Sequence, residues 1–356
     1  MQIQNRIQSI DALRGLTVAA MLVVNDAGDW GHVYPWLEHA EWFGCTFADF
    51  IFPFFMLIVG VSMSLALGTQ IEKGESRAAL SRAVLWRGLR IFLLGVALHY
   101  VAHLLLPGRE FRLLGVLQRI GISFAGVGLF SIHVRDARIQ WGVFGAILLG
   151  YWALLAGYGS FDPDHNLCDR IDTLLLGPLA YSYNPATGLA HDPEGILSTL
   201  PALATVILGV RTGAWLRAGQ ERIVWLAGVV MVVLASLWSL VLPFSKQLWT
   251  SSFVLWTGGF GLLAIAATHE LIDKRGFPAW GRSLGINAIA AYAGSWLATC
   301  VLEGFGIMPA LYASVFSKPL AAFGPFVSSL AFALAFSATF WIAMHAMLKR
   351  GWRISI

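Results

Sequence analysis

Residues 9–60 read SIDALRGLTVAAMLVVNDAGDWGHVYPWLEHAEWFGCTFADFIFPFFMLIVG. Two apolar runs long enough to enter a bilayer flank a hinge crowded with Asn25, Asp26, Asp29, His32, Glu38, His39 and Glu41 among its tryptophans and Tyr34. A connection between two membrane helices needs only turn formers. Ionisable side chains at the membrane boundary are costly unless they are paired or used. An interfacial belt accounts for the aromatic residues, which favour the headgroup level, but not for Asn25, His39 and Asp49.

The rest of the chain has the same character. With 57% hydrophobic and 12% charged residues over 356 positions and a mean hydropathy of +0.69, it is too apolar for a soluble globular domain. Taking about 20 apolar residues per crossing, spans fall near 10–26, 46–68, 84–106, 113–132, 140–158, 195–215, 223–243, 249–268, 283–303 and 322–347. The reading is an all-α, polytopic membrane helix bundle of about ten crossings, with both termini on one side. Most Lys and Arg residues then fall on the terminal side. The opposite side keeps only Arg109, Arg112, Arg170, Lys246 and Lys318, and Arg119 lies inside a span. By the positive-inside rule both termini are cytoplasmic and the His39 hinge faces outward. The net charge of +4 follows these topological clusters, which excludes nucleic acid as the partner.

The chain reads as a single membrane domain over 1–356. Its one long connection, 159–194, carries turn formers and an apolar insert, IDTLLLGPLAY, that can pack as an ordered cap over the outer mouth. MQIQNR followed by LTVAAMLVV resembles a signal peptide, but no A-x-A site precedes the hinge, so a retained first helix is expected. Three cysteines without a CxxC pair specify neither a zinc site nor a disulfide framework. A Cys45–Cys168 bridge across two outer loops is left open.

Asn25 ends the first span and His39 precedes the second, so a short loop brings an amide and an imidazole to one mouth. Imidazole suits proton transfer near neutral pH or transient acyl acceptance, and an amide can hold an oxygen on which negative charge develops. Asp49, just inside the second span, needs a partner, for which His39 and Arg119 are the candidates; the alternative is an ordinary acidic residue at a helix start. Gln118 and Arg119 in GVLQRIG sit within an apolar span, where an arginine faces a cavity or an acid. Asp192 and Glu194 in HDPEG either start the sixth helix or face outward and attract a protonated amino sugar. On the cytoplasmic side Arg14, Arg82 and Arg87, with Asn287 entering the ninth span, form a basic face suited to a polyphosphate cofactor, although topology alone also places arginines there. His99 and His103 stand at i, i+4 spacing but lack a visible third metal ligand and read as interfacial polar residues.

SIDALRGL, VVN, HAEWFGCTFADFIFPFF, GVLQRIG, CDRIDTLLLG, HDPEGILSTLPA, KQLWTSSFVLW, GINAIAAY and WRISI fall in order along nearly the whole chain. In this it resembles the membrane domain of the heparan-α-glucosaminide N-acetyltransferase family. The resemblance implies a transmembrane acetyltransferase that uses acetyl-CoA as co-substrate, with no metal, and an amino sugar of glucosamine type as acceptor. His39 matches the family's catalytic histidine and Asn25 its essential asparagine. Direct transfer and a two-step route through acetyl-histidine both remain open. The animal enzyme carries a lumenal domain ahead of its first helix and this chain begins a few residues before SIDALRGL, so the acceptor here can differ. The other partners are membrane lipids, with a homodimer left open, and the expected location is a bacterial inner membrane. The competing function is an inner-membrane transporter of N-acetylglucosamine or a related sugar, which predicts paired repeat halves or broken helices in corresponding positions.

Overall fold

A bilayer offers the backbone no water, so apolar runs satisfy their N–H and C=O groups internally as helices. The computed structural model describes residues 7–354. In chain order the main elements are α1 (Gln8–Asn25), α2 (Phe47–Glu72), α3 (Arg77–Leu105), α4 (Val116–His133), α5 (Ala137–Tyr158), α6 (Leu167–Leu175), β1 (Ser182–Asn184) and β2 (Leu189–His191). They continue with α7 (Thr199–Arg217), α8 (Glu221–Trp238), α9 (Ser251–Thr268), α10 (Arg282–Ile286), α11 (Ala288–Gly304), α12 (Ile307–Leu311) and α13 (Pro325–Lys349). Each of the ten expected spans has a helical counterpart. Among the described residues eight helices are long and apolar enough to cross a membrane, or nine if the pair 288–304 and 307–317, bent by 85°, counts as one. The helix α1 lies outside that set because its first turns carry Gln8, Asp11 and Arg14. The chain is a multi-pass membrane protein.

Between membrane helices hydrocarbon supplies no hydrophobic drive, and small residues let backbones approach. The central helix α2 meets α7 along such a seam. A Cβ built on Gly209 would stand 2.1 Å from the Leu57 carbonyl oxygen, and one on Gly60 would stand 2.2 Å from that of Val206. Neither position tolerates even a methyl group without separating the helices. Around the seam Met56, Val61, Leu208, Phe253 and Leu262 form a fully buried core. On the other flank α1 packs against α10 in the same way, Gly285 lying against the Asp11 carbonyl. These two seams fix α1 and α2 side by side, with the polar hinge joining them.

Residues 159–194 are folded. Asn166 caps α6 by accepting from the Asp169 N–H at 2.9 Å, and β1 pairs antiparallel with β2. Tyr151, Leu155, Cys168 and Leu248 bury their side chains together beneath this segment, with Trp42 packed against them. All three cysteines are free. The Cys45–Cys168 pairing left open by the sequence therefore does not form: Cys168 is buried with its Sγ 3.2 Å from the Tyr151 hydroxyl.

Candidate active site

The head of α2 organises the hinge. The Asp49 side chain is wholly buried at the third helical position, where the helix dipole favours a carboxylate. Its Oδ2 accepts from the backbone N–H groups of Thr46 (3.0 Å) and Ala40 (3.1 Å), and its Oδ1 lies 2.8 Å from His39 Nδ1. Both readings of Asp49 are thus realised in one side chain: it starts the helix and it orients the histidine. A carboxylate only accepts, so His39 carries its proton on Nδ1 and keeps a lone pair on Nε2. The His39 side chain is 41% exposed while Asp49 is sealed beneath it.

A third group completes the cluster. Lys246, on the loop between α8 and α9, places Nζ 3.1 Å from both ring nitrogens of His39 and 3.8 Å from Asp49 Oδ1. Being equidistant, the ammonium is in line with neither nitrogen's lone pair, so Nε2 remains usable. Burial pushes the Lys246 ammonium below its usual pKa, while Asp49 and Glu194 pull against that shift. The sequence reading passed Lys246 over as one of a few basic residues on the outward side. Its local signals are that departure from the charge bias and its place at the head of KQLWTSSFVLW, for it lies 207 positions from His39.

His39 and Lys246 line one cavity together with Asn25, Glu194 and Tyr292, over an apolar floor that includes Met21, Ile51 and Phe52. Among the described residues none hydrogen-bonds the Asn25 side-chain amide. A second, larger cavity opens below, lined by Arg14, Ser62, Gln70 and Arg87. Phe55, Leu117, Ile120, Ala288 and Ile289 border both. The two cavities therefore adjoin at an apolar collar, one beside the His39 hinge and the other at a basic mouth.

Several expected site residues lie elsewhere. Asp192 does not face outward: it is 1% exposed and takes four donors, from Arg112 Nε (3.2 Å) and Nη2 (2.7 Å) and from the backbone of Tyr181 and Glu194 (both 2.9 Å). A carboxylate so filled has no lone pair left for a sugar amine. Glu194 shares the Arg112 fork but also borders the His39 cavity. Arg112, Arg119 and Lys246 hold its carboxyl below the usual range despite burial. Arg119 does not reach Asp49. It is 1% exposed, donates to Ser198 and to the Gly195 carbonyl, and stacks over Trp249 at 5.2 Å. Gln118 is likewise sealed, donating to the Leu113 carbonyl at 2.9 Å. Neither lines either of these two cavities; Arg119 braces the start of α7 and Gln118 the loop ahead of α4.

At the lower mouth Arg14 donates to Asp11, Ser62 and the Gly285 carbonyl, and Arg87 borders the space with its guanidinium over Phe124 at 5.1 Å. Arg82 lines neither cavity and is exposed. Asn287 is not available to a cofactor, because its fully buried amide donates to the Trp352 carbonyl (3.3 Å) and accepts from the Ile354 N–H (3.0 Å). It pins the C-terminal segment so that Ile354 becomes part of the mouth's wall. His99 and His103 bond through Nδ1 to the carbonyls of Arg112 and Arg109. Among the described residues no group of three or more His, Cys, Asp or Glu is placed to hold a metal.

The fold and the site together define a multi-pass helical membrane protein with a carboxylate-oriented imidazole in one cavity and arginines at the mouth of the next. The profile of the family described as heparan-alpha-glucosaminide N-acetyltransferase, catalytic, matches residues 6–241, and the chain belongs to that family. It is 26% identical over 352 residues to heparan-alpha-glucosaminide N-acetyltransferase of Homo sapiens, covering 81% of this chain and 52% of that protein. To the Mus musculus protein of the same name it is 25% identical over 353 residues, covering 82% and 53%. The chain thus spans about half the length of these curated relatives. The profile match ends at 241, within the loop that carries Lys246 and ahead of that residue.

Proposed function

We propose that the protein is a transmembrane N-acetyltransferase that moves an acetyl group from cytoplasmic acetyl-CoA to the amine of a glucosamine-type sugar on the opposite face, in a bacterial inner membrane. The observation that carries this reading is the pair of adjoining cavities: one is basic, the other holds His39 oriented by Asp49, and the same apolar collar borders both. Arg14 and Arg87 would hold the phosphates of the donor, as guanidinium groups suit phosphate oxygens. The collar of Phe55, Leu117, Ile120 and Ile289 would take its uncharged arm and keep water from the thioester. Both termini then lie in the cytoplasm, and 159–194 caps the acceptor side within a single domain.

At the head, His39 Nε2 takes the proton from the attacking amine, while Asp49 holds the ring's orientation and stabilises the imidazolium that forms. Asn25, on the same cavity wall, donates to the carbonyl oxygen as charge develops on it. Glu194 gives the acceptor side a carboxylate where a protonated amino sugar would enter. The transporter alternative predicts broken helices in corresponding halves. Among the described residues one pair is sharply bent, at 304–307, which favours the enzyme reading. The test is direct: purified protein in detergent with labelled acetyl-CoA and glucosamine should place label on the sugar nitrogen. Sugar movement across proteoliposomes without labelled product would refute the proposal.

A further inference from the structure

Lys246 is a cation lining the His39 cavity to which the reaction just described gives no part. The loop at 239–250 that carries it is over-determined. Trp249, three residues on, adopts φ 50°, a left-handed conformation uncommon for a bulky residue. That conformation persists because Trp249 is buried, packs its ring against Phe52 and Phe253, and donates from Nε1 to Thr205 Oγ1 at 3.2 Å. Ser245 and Thr250 close the turn, the Thr250 N–H donating to the Ser245 carbonyl at 3.1 Å. The effect is to hold an ammonium, 14% exposed, over the His39 ring.

The position has a chemical consequence. In the transition state an attacking amine must lie within hydrogen-bond reach, about 3 Å, of Nε2, and the new C–N bond sets the carbonyl oxygen only one atom further away. A cation 3.1 Å from Nε2 is therefore in reach of that oxygen. We propose that Lys246 is a catalytic residue, the cation that with Asn25 stabilises the oxyanion formed when the acceptor amine attacks the thioester. The amine lone pair forms the C–N bond as the C=O π electrons move to oxygen. His39 takes the amine proton, and collapse of the oxyanion expels the thiolate, which leaves as the thiol with that proton. An ammonium is needed for this role. The groups facing it are Asp49, His39 and Cys45 around the head of α2, Glu194 ahead of α7, Arg119 of α4 and Tyr292 of α11. Burial lowers its pKa, and Asp49 and Glu194 oppose that shift.

The inference rests on the acetyltransferase reading, and the experiment separates the two. Steady-state kinetics of the wild type, Lys246→Met and Lys246→Arg are compared across pH, with thermal unfolding of each protein as the control. In Lys246→Met, kcat should fall on the order of 100- to 1,000-fold, as for loss of other oxyanion donors, with KM for acetyl-CoA within a few-fold of wild type. Lys246→Arg should recover a measurable part of kcat. Its rate should also persist at alkaline pH where the wild type declines, because a guanidinium keeps its proton. A Lys246→Met enzyme within twofold of the wild-type kcat, or an alkaline limb unmoved by Lys246→Arg, would overturn the role while leaving the acetyltransferase reading intact. A folded wild type with no transfer at all would overturn both.

Discussion

Two clusters of ionisable side chains lie within the same bundle and differ in one respect. In the first, Arg112 forks Asp192 and Glu194, and the Asp192 oxygens also take two backbone donors. In the second, Asp49 is satisfied by two backbone N–H groups and His39, but His39 Nε2 and Lys246 Nζ face a cavity with bonding capacity left. Buried charges must be paired to be tolerated, and the first cluster is paired to completion. The second is complete on its buried side only. The difference fits a brace in one place and, on the proposed function, a reaction centre in the other.

The largest expected effect comes from breaking the open cluster. His39→Ala should abolish acetyl transfer while inserting and unfolding like the wild type, since a half-exposed ring contributes little packing. Robust turnover by that variant would contradict the assignment. The converse holds for the closed cluster. Arg112→Met leaves Asp192 and Glu194 without their cation and should destabilise the protein by about 3–5 kcal/mol, the usual cost of removing one partner of a buried pair. Denaturant unfolding in detergent measures it, and a stability unchanged within error would mean the fork is not a brace.

Asn25→Ala sharpens the comparison within the open cluster. A kcat loss on the order of 100- to 1,000-fold with little change in KM fits an oxyanion donor; a change in KM alone would make Asn25 a positioning residue. The smallest effect is expected at His191, the neighbour of Asp192, which donates to Asp169 at 2.6 Å and reaches Gln247, the neighbour of Lys246, at 3.3 Å. Burial alone would lower its pKa, but the Asp169 carboxylate outweighs that and holds it above the ordinary value. A raised folded pKa stabilises fully below the unfolded value of about 6.5 and is lost as pH rises through the folded one. The stability difference between wild type and His191→Asn should therefore shrink on going from mildly acidic to alkaline pH. A difference that grows over that range would contradict the pairing.

What was legible in the sequence follows the range of the interactions. Spans could be read because a bilayer crossing is a local, compositional demand; the expected ninth span is interrupted at Asn287, whose amide bonds a tail 65 residues away. The hinge could be read because its polarity is out of place there, and Asn25, His39 and Asp49 all lie within it. The burial of Asp192 is not legible because Arg112, 80 residues earlier, gives no sign of pairing with it. Arg82 was grouped with Arg87 by proximity, yet five residues turn a helix by about 140°, which carries Arg82 away from the cavity. Lys246 looked like a loop charge, and only the turn held by Trp249 shows what it faces.

The most direct measurement of the central claim uses sealed vesicles of known orientation. Labelled acetyl-CoA, which cannot cross the bilayer, is supplied at one face and glucosamine at the other. Labelled N-acetyl product should form when the donor is at the face of Arg14 and Arg87 and the acceptor at the face of His39, and should vanish when the two are exchanged. Product formed only with donor and acceptor on the same face would contradict a path that runs through the protein from one side to the other.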